Sequence, residues 1–280
     1  MSDAPPHRRR RARPSPMALA TGAVVAACFA LAVFGPALAP HAEGTIVSRN
    51  IFAPMSAAFP FGTDYLGRDM LSRVLFGARF TIGVALPAAL LASGAGTLLG
   101  MLAAVRGGAI DAALSRAMDT LISLPTLIFS LVVVAALGSS ITVLVLTAAV
   151  IYTPGSYRIA RAVAVDLSAT DFVKAARARG EGGLAIMLGE ILPNMVMPVL
   201  TDFGLRFVFI VLLLSSLSFL GLGIQPPDSD WGGMVRENIE GLSAGAPAVI
   251  VPAVAIAILT VSVNLLIDNL PGRRIGRRGD

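Results

Sequence analysis

The sequence predicts an all-α membrane protein with six transmembrane helices, and three observations support this prediction. The chain has 280 residues, of which 55% are hydrophobic and only 14% charged, and its mean hydropathy is +0.78. Soluble domains carry about 25% charged residues, so a soluble fold of this length would lack polar groups to cover its surface. Five runs without Asp, Glu, Lys or Arg are long enough to cross a bilayer, which takes about 20 helical residues. The basic residues fall between these runs.

The first charge-free run extends over residues 14–40 and predicts a transmembrane helix at about residues 17–40, after a basic tail at residues 1–16. Arginines followed by an apolar stretch and Ala37-Leu38-Ala39 also fit a cleaved secretory signal. The apolar stretch is longer than the core of a signal sequence, and Pro40 follows the point where cleavage would occur. We therefore expect a first span that is retained.

Residues 41–79 are expected to form an outer segment that precedes the second span at residues 80–105. Apolar residues recur at helical spacing near its end, at Met70, Leu71, Val74, Leu75 and Ala78. The polar residues Arg68, Asp69, Ser72 and Arg73 occupy the other positions. This pattern predicts a helix that lies at the outer membrane interface before the second span.

The third charge-free run, residues 120–157, is too long for one crossing. Its 38 residues would form a helix of about 57 Å. Gly138-Ser139-Ser140 is a turn signal, so the run divides into spans at 120–137 and 141–157. An inner loop then covers 158–195, a fifth span 196–223, an outer loop 224–245 and a sixth span 246–267. A basic tail at 269–280 follows the core at 80–268.

The distribution of the basic residues predicts the orientation of the chain. Six spans place 16 of the 22 basic residues on one side, including an arginine cluster in each tail. Cytoplasmic loops are enriched in lysine and arginine, so both termini are expected in the cytoplasm. A five-span arrangement would place one arginine cluster outside. Since the basic residues follow this membrane pattern, nucleic-acid binding is not expected.

Several kinds of chemistry are excluded by the residues present. Cys28 is the single cysteine, and His7 and His41 are the two histidines, so we expect no disulfide, no metal site and no Ser/His/Asp set. Lys174 is the single lysine and lies in no glycine-rich phosphate loop. Gly94-Ala95-Gly96 lies within a span, where small residues pack helices together. We expect no catalytic residue and no cofactor in this chain.

The middles of the six spans contain no ionisable side chain. Asp202 and Arg206, which lie near the end of a span and four residues apart, are expected to pair at the membrane interface. Proton-driven carriers place ionisable groups at membrane depth, so this class is disfavoured. If the chain transports a solute uphill, the energy is expected to come from another polypeptide.

The inner loop predicts two short helices separated by a glycine turn. Residues 171–179 are good helix formers, and Gly180 is a plausible helix stop. Phe172, Ala175, Ala176 and Arg179 are expected to share one face, where small alanines let another surface approach closely. A second helical stretch from Leu184 to Leu192 is expected to end at Pro193.

This loop resembles the EAA motif of permease subunits in binding-protein-dependent ABC importers. The motif is Glu-Ala-Ala, three residues, Gly, and a hydrophobic-Leu-Pro sequence that ends thirteen residues after the glycine. The chain has Ala175, Ala176, Gly180, Ile191, Leu192, Pro193 and Asn194 in this register. Lys174 stands where the motif has glutamate, and Glu190 where the subfamily often has histidine.

Two further segments are similar to dipeptide, oligopeptide and nickel permeases. Residues 61–69, 71–73 and 77–79 are similar to the segment that leads into their second span. Residues 217–227 and 231–234 are similar to the end of their fifth span. The resemblance covers about residues 17–276 and is to the second, shorter permease type.

The resemblance implies the type I permease fold of ABC importers with a cytoplasmic coupling helix, in the inner membrane. It implies a homologous permease, two ATPase subunits that bind ATP, and a periplasmic or lipid-anchored substrate-binding protein as partners. The expected solute is a dipeptide, an oligopeptide or a related solute such as a nickel chelate. A stand-alone secondary carrier and a membrane anchor without transport remain as alternatives.

Two groups of site residues follow from the resemblance. The ATPase-coupling loop is expected to use Lys174, Ala175, Ala176, Arg177, Arg179, Gly180, Leu192 and Pro193. The outer mouth of the pore is expected to include Gln225, Pro226, Trp231 and Gly232. An alternative for Trp231 is an aromatic anchor at the membrane interface.

Overall fold

The computed structural model describes residues 15–269, and in this range every regular element is a helix. The main helices are α1 (Pro16–Leu38), α2 (Met70–Arg106), α3 (Gly108–Ile122), α4 (Thr126–Leu137), α5 (Ile141–Ser168), α6 (Asp171–Ala178), α7 (Gly183–Ala185), α8 (Leu192–Phe219), α9 (Trp231–Glu237) and α10 (Pro247–Asp268). A π-helical turn, Ile186–Ile191, joins α7 to α8, and a 3₁₀ turn, Ile239–Leu242, follows α9. The arginine clusters of both tails lie outside the described residues.

Five helices among residues 15–269 are long and apolar enough to cross a membrane, and the bent pair α3 and α4 provides a sixth crossing if it counts as one span. The all-α membrane fold is therefore confirmed, with a break in the third crossing. α3 and α4 are bent by 85°. α4 has 12 residues, a length of about 18 Å, which is too short to cross alone.

The predicted start of the third span at residue 120 is wrong. Residues 120–122 belong to α3, and Pro125 precedes the first residue of α4. Proline lacks an N–H group and disfavours a helical conformation in the residue before it. The helix therefore ends before Pro125, and the chain changes direction there.

The crossings alternate in direction, so that the start and the end of the described chain meet. The Ser15 hydroxyl donates to Asn269 Oδ1 at 3.3 Å, which joins the start of α1 to the end of α10. We call the end of the bundle that carries α6 the α6 end, and the opposite end the α9 end. Both ends of the described chain therefore lie at the same end of the bundle, which fits six crossings better than five.

The expected interfacial helix before span two is wrong, because α2 is one continuous helix of 37 residues. Asp69 caps it by accepting from the N–H groups of Leu71 at 3.3 Å and Ser72 at 3.1 Å. Ser72 and Arg73 are buried, whereas Leu71 is partly exposed. Residues distant in sequence cover the polar side of this helix, which spacing within the helix does not reveal.

The prediction that the second helix of the inner loop ends at Pro193 is wrong. Residues Gly183–Phe219 form one helix of 37 residues. In the π-helical turn before α8, Leu192 N–H bonds to the Met187 carbonyl, five residues back. Pro193 follows this π-helical turn as the second residue of α8.

Small residues hold α2 against α5, the pair with the closest association in the bundle. A Cβ at Gly96 would lie 2.5 Å from Ser156 Cβ, and one at Gly100 would lie 2.7 Å from Arg161 N. Packing by small residues is therefore confirmed at Gly96. A Cβ at Gly94 would have no atom within 4 Å, so this glycine takes no part in the contact.

Candidate functional site

α6 ends where the sequence predicts, at Gly180. This glycine has a φ of 80°, in the left-handed region that favours glycine. Gly180 N–H bonds to the Arg177 carbonyl at 3.0 Å, and Glu181 N–H bonds to the Ala176 carbonyl at 3.2 Å. These two bonds form a Schellman motif, which stops the helix and turns the chain towards α7.

One face of α6 is anchored in the protein. Val173 and Ala176 are fully buried. They pack in a cluster with residues of α2, α5, the π-helical turn and α8, namely Met101, Ala160, Ala164, Ile186, Met187, Ile191 and Met195. Ala176 therefore faces inwards, in contrast to the expectation that it shares a contact face with Phe172 and Ala175. Val173 and Ala176 thus connect α6 to the π-helical turn before α8 and to α5, and the same cluster includes residues of α2 and α8.

The other face of α6 is exposed, and we call it the α6 surface. It consists of Phe172, Lys174, Ala175, Arg177, Ala178, Arg179 and Gly180 of the α6 segment and Leu184 and Leu188 of the next helix. Leu184 is 68% exposed and Leu188 46% exposed, although neither belongs to a predicted span. Exposed apolar groups of this kind mark contact surfaces. The four-residue spacing of Leu184 and Leu188, which places both on one helix face, is the sequence signal for this part of the surface.

The charges on the α6 surface pair locally. Lys174 Nζ lies 3.3 Å from Asp171 Oδ1. Arg179 lies 2.6 Å from Glu181 Oε1 and 3.7 Å from Glu190 Oε1. The basic and acidic partners are all solvent-accessible, so these pairs contribute little to stability and can exchange for another partner.

Leu192 and Pro193 lie apart from the α6 surface. Leu192 is half-buried and packs against the cluster beneath α6, while Pro193 is exposed in the first turn of α8. The structure therefore separates the predicted coupling residues into an exposed group on the α6 segment and a pair that begins the next crossing.

At the α9 end, the predicted mouth residues divide into exposed and buried pairs. Gln225 and Pro226 are exposed. Trp231 is 3% exposed, and its indole N–H donates to the Val74 carbonyl at 3.0 Å. A Cβ at Gly232 would clash with the Ser215 carbonyl oxygen. Trp231 thus fills the space between α9 and α2, and the alternative of an aromatic interface anchor is wrong.

A buried charge cluster, missed by the sequence analysis, joins the outer segment to α9. Its members are Asp64, Arg68, Arg73 and Glu237, which we call the α9-end cluster. Arg73 donates to Asp64 Oδ2 and to Glu237 Oε2, both at 2.8 Å. Arg68 Nε donates to Asp64 Oδ2 at 2.6 Å. Arg73 and Asp64 are almost completely buried, so the cluster fixes residues 64–73 against α9.

Two further carboxylic acids lie beside this cluster. Burial raises the pKa of Glu43, which accepts a hydrogen bond from the Ser229 hydroxyl at 2.9 Å. Burial also raises the pKa of Asp230 to about 6, although hydrogen bonds from Ser218 and Gly233 favour its charged form. Asp230 caps α9 by accepting from Gly233 N–H at 2.7 Å.

The predicted pair of Asp202 and Arg206 is confirmed, with Arg206 Nε 2.9 Å from Asp202 Oδ1. The pair lies in the middle of the helix Gly183–Phe219 rather than near its end, and Asp202 is 3% exposed. The Arg206 guanidinium lies against Gly155 of α5, where a Cβ would be 2.5 Å from its nearest nitrogen. Glycine at position 155 therefore makes room for this charge between two crossings.

Arg206 lines a cavity of about 300 Å³ between the α3–α4 bend, α5 and α8. Residues Leu121, Ile122, Leu124, Thr126 and Phe129 contribute one wall, and Ile151, Tyr152, Gly155 and Arg158 contribute the other. The bend at Pro125 creates this cavity, so the residue pattern alone does not predict it. Within residues 15–269, no group of three or more His, Cys, Asp or Glu side chains could hold a metal ion.

Comparison with known proteins identifies relatives over most of the chain. The family model described as "Binding-protein-dependent transport system inner membrane component" matches residues 96–275. The chain is 34% identical to the glutathione transport system permease protein GsiD of Escherichia coli, over 93% of this chain and 86% of that protein. It is 32% identical to the di/tripeptide transport system permease protein DppC of Pseudomonas aeruginosa, over 85% of this chain and 81% of that protein. The dipeptide transport system permease protein DppC of Alkalihalophilus pseudofirmus is 30% identical, over 88% and 81%.

Proposed function

From the fact that the chain belongs to the family of binding-protein-dependent transport system inner membrane components, we infer that it is a permease subunit that forms half of the pore of an ABC importer. A homologous permease completes the pore, two ATPase subunits bind and hydrolyse ATP, and a substrate-binding protein delivers the solute. The chain itself carries out no covalent step. We place the α6 end in the cytoplasm and the α9 end outside the inner membrane, and the arginine distribution supports this orientation.

One observation supports the coupling role above all others: α6 is exposed on one face and anchored to three crossings on the other. An ATPase that binds the α6 surface would push on Val173 and Ala176, and through them on α2, α5 and α8. Ala175 and Ala178 let a partner approach the helix closely, while Phe172 and Leu184 supply apolar contacts. Lys174, Arg177 and Arg179 supply positive charge at the rim of this contact.

A substitution at Ala175 tests this role. Ala175→Trp adds bulk to the α6 surface at an exposed position, so we expect the protein to fold and reach the membrane but to lose ATPase binding. Uptake and the ATP hydrolysis that the binding protein stimulates should both fall at least about tenfold. A loss of about 1.4 kcal/mol in the free energy of ATPase binding lowers the affinity by this factor. The measurement uses the complete importer in vesicles, with co-purification of the ATPases as the binding readout.

Ala175→Ser is the matched control, because it keeps the surface small at the same position. This variant should retain uptake and ATPase binding. Normal uptake by Ala175→Trp, at the wild-type amount of protein in the membrane, would exclude the α6 surface as the coupling site. Gly180→Trp is expected to abolish uptake as well, but there the side chain also meets an unfavourable φ of 80°.

We propose peptides as the transported class, with dipeptides, tripeptides and glutathione as the first candidates. Relatives with these solutes in their names are 30–34% identical to this chain. Deletion of this permease should abolish uptake of the solute that the associated binding protein binds. Retained uptake after deletion would instead indicate an anchor without a transport role.

No observation favours a stand-alone secondary carrier. An ATP-driven importer should continue uptake in vesicles after the proton gradient is collapsed, provided that ATP is present. Loss of uptake on collapse of the gradient at constant ATP would contradict the proposal.

A further inference from the structure

Arg206 lies within a membrane-crossing helix, Gly183–Phe219, where a charge needs a special environment. A charge-free stretch of α8, from Phe207 to Phe219, follows it and corresponds to about 20 Å of helix. Ionisable side chains within membrane-crossing helices face the bundle interior or a water-filled cavity, because lipid cannot solvate them. The 300 Å³ cavity beside the α3–α4 bend is such a place, and Arg206 lines it.

Asp202 uses only part of the hydrogen-bonding capacity of Arg206. Arg206 Nε donates to Asp202 Oδ1 at 2.9 Å. Within residues 15–269, the Arg206 side chain makes no other hydrogen bond. A guanidinium group has five N–H donors, and its two terminal nitrogens match the two oxygens of a carboxylate. These nitrogens pack against Gly155, and the Arg206 side chain, which is 14% exposed, forms part of the cavity wall.

The charged side chains that line the cavity are both basic. Arg206 and Arg158 line it, and its ten lining residues include no Asp or Glu. Arg158 pairs with Asp119 at 2.6 Å, but both side chains are more than half exposed, so water screens this pair. The remaining walls are mostly apolar and aromatic, as in sites that bind small organic molecules.

We propose that this cavity is a section of the translocation path and that Arg206 binds the carboxylate group of the solute in transit. The inference rests on the proposed function, because dipeptides, tripeptides and glutathione all end in a carboxylate. The cavity volume is at the lower end of the range for small-molecule sites, which starts at about 300 Å³. Asp202 holds the guanidinium in place and reduces its attraction for the solute, so that the solute is released rather than trapped.

Uptake of tritiated Ala-Ala by the complete importer in proteoliposomes tests this role. Arg206→Gln alone would leave Asp202 buried without its partner, so the double variant Asp202→Asn with Arg206→Gln is used to preserve the fold. We expect its uptake rate to fall about tenfold, the typical effect of losing a hydrogen bond to a charged group. The ATP hydrolysis that the binding protein stimulates should stay within about twofold of the wild type, since coupling at α6 is intact.

Two further variants separate a solute contact from a packing role. Arg116→Gln removes an exposed arginine of α3 outside the cavity lining and should leave uptake unchanged. Arg206→Lys retains the charge without the planar fork, so its uptake rate should lie between those of the wild type and the double variant. Equal losses in Arg206→Lys and in the double variant would indicate packing and would overturn the proposal.

The outcomes distinguish this inference from the proposed function. If the wild-type importer takes up neither Ala-Ala nor glutathione, the peptide assignment fails and this inference fails with it. If the wild type takes up Ala-Ala and the double variant matches it per assembled complex, only the role of Arg206 is refuted. Loss of the second permease from the purified double-variant complex would show that the cavity is a subunit contact, which also overturns the proposal.

Discussion

At the scale of single residues, the buried carboxyl group of Asp230 at the α9 end makes the stability of the protein depend on pH. Burial raises the pKa of Asp230 to about 6, above the value of about 3.9 in an unfolded chain. At a pH between these two pKa values, Asp230 is therefore protonated in the folded protein and ionised in the unfolded chain. The contribution of Asp230 to stability is fully present below about pH 4 and is lost as the pH rises through about 6.

Asp230→Asn should remove this pH dependence. Asparagine keeps an oxygen for the Gly233 N–H group and carries no charge, so it should stabilise the protein at pH 7.5 by up to about 3 kcal/mol. Thermal unfolding of the detergent-solubilised protein between pH 4 and pH 8 measures the effect. If the melting temperature of the variant still changed with pH between pH 4 and pH 6 as steeply as that of the wild type, another group would be responsible for the titration.

Arg73 is the residue on which the α9-end cluster depends most. It is 1% exposed and joins Asp64 to Glu237. Arg73→Gln leaves the buried carboxylate of Asp64 with Arg68 alone, and removal of one partner from a buried pair costs about 3–5 kcal/mol. We expect a lower melting temperature and faster proteolysis between residues 41 and 69. The exposed Arg49→Gln should be neutral, and equal stability of the two variants would contradict this role.

At the scale of helices, the contact between α2 and α5 is a close approach of two backbones. Gly96 and Gly100 let the two backbones approach, and Thr153 O and Tyr157 N both lie 2.7 Å from the Cβ that Gly96 lacks. The same contact holds α5 in the position where its Gly155 packs against the Arg206 guanidinium. A change in this contact therefore affects both stability and the proposed path.

Gly96→Leu should separate α2 from α5, because backbone atoms cannot move aside as a flexible side chain can. Overpacking of a close contact costs about 1–3 kcal/mol or more. We expect loss of assembled importer, measured by co-purification of its subunits. Gly94→Leu is the matched control one half-turn away, where nothing lies within 4 Å, and it should assemble normally. Normal assembly of Gly96→Leu would show that the contact is not required.

At the scale of the whole molecule, the alternating crossings place α6 and α9 at opposite ends of the bundle. Gln225 and Ala175 are both exposed, one at each end. In a Cys28→Ala background, Gln225→Cys should react with an impermeant thiol reagent from outside intact cells. Ala175→Cys should react only after the membrane is opened. Reaction of Ala175→Cys from outside would reverse the proposed orientation.

The sequence by itself determined the membrane class, the charge-free runs that supply the crossing helices, and the end of α6. Charge-free runs reveal helices because burial of charge in lipid is costly, and Gly180 stops α6 because its left-handed φ suits glycine. The i, i+4 pair of Asp202 and Arg206 was predictable for a similar reason, since spacing within one helix is local information.

Only the tertiary structure decided which residues face each other across elements. It turned Ala176 inwards, buried Trp231 against α2, and assembled Asp64, Arg73 and Glu237 into one cluster. It also bent the third crossing at Pro125, and this bend opens the cavity beside Arg206. Periodicity gives the faces of one helix, but the partner of each face depends on contacts between residues far apart in the chain.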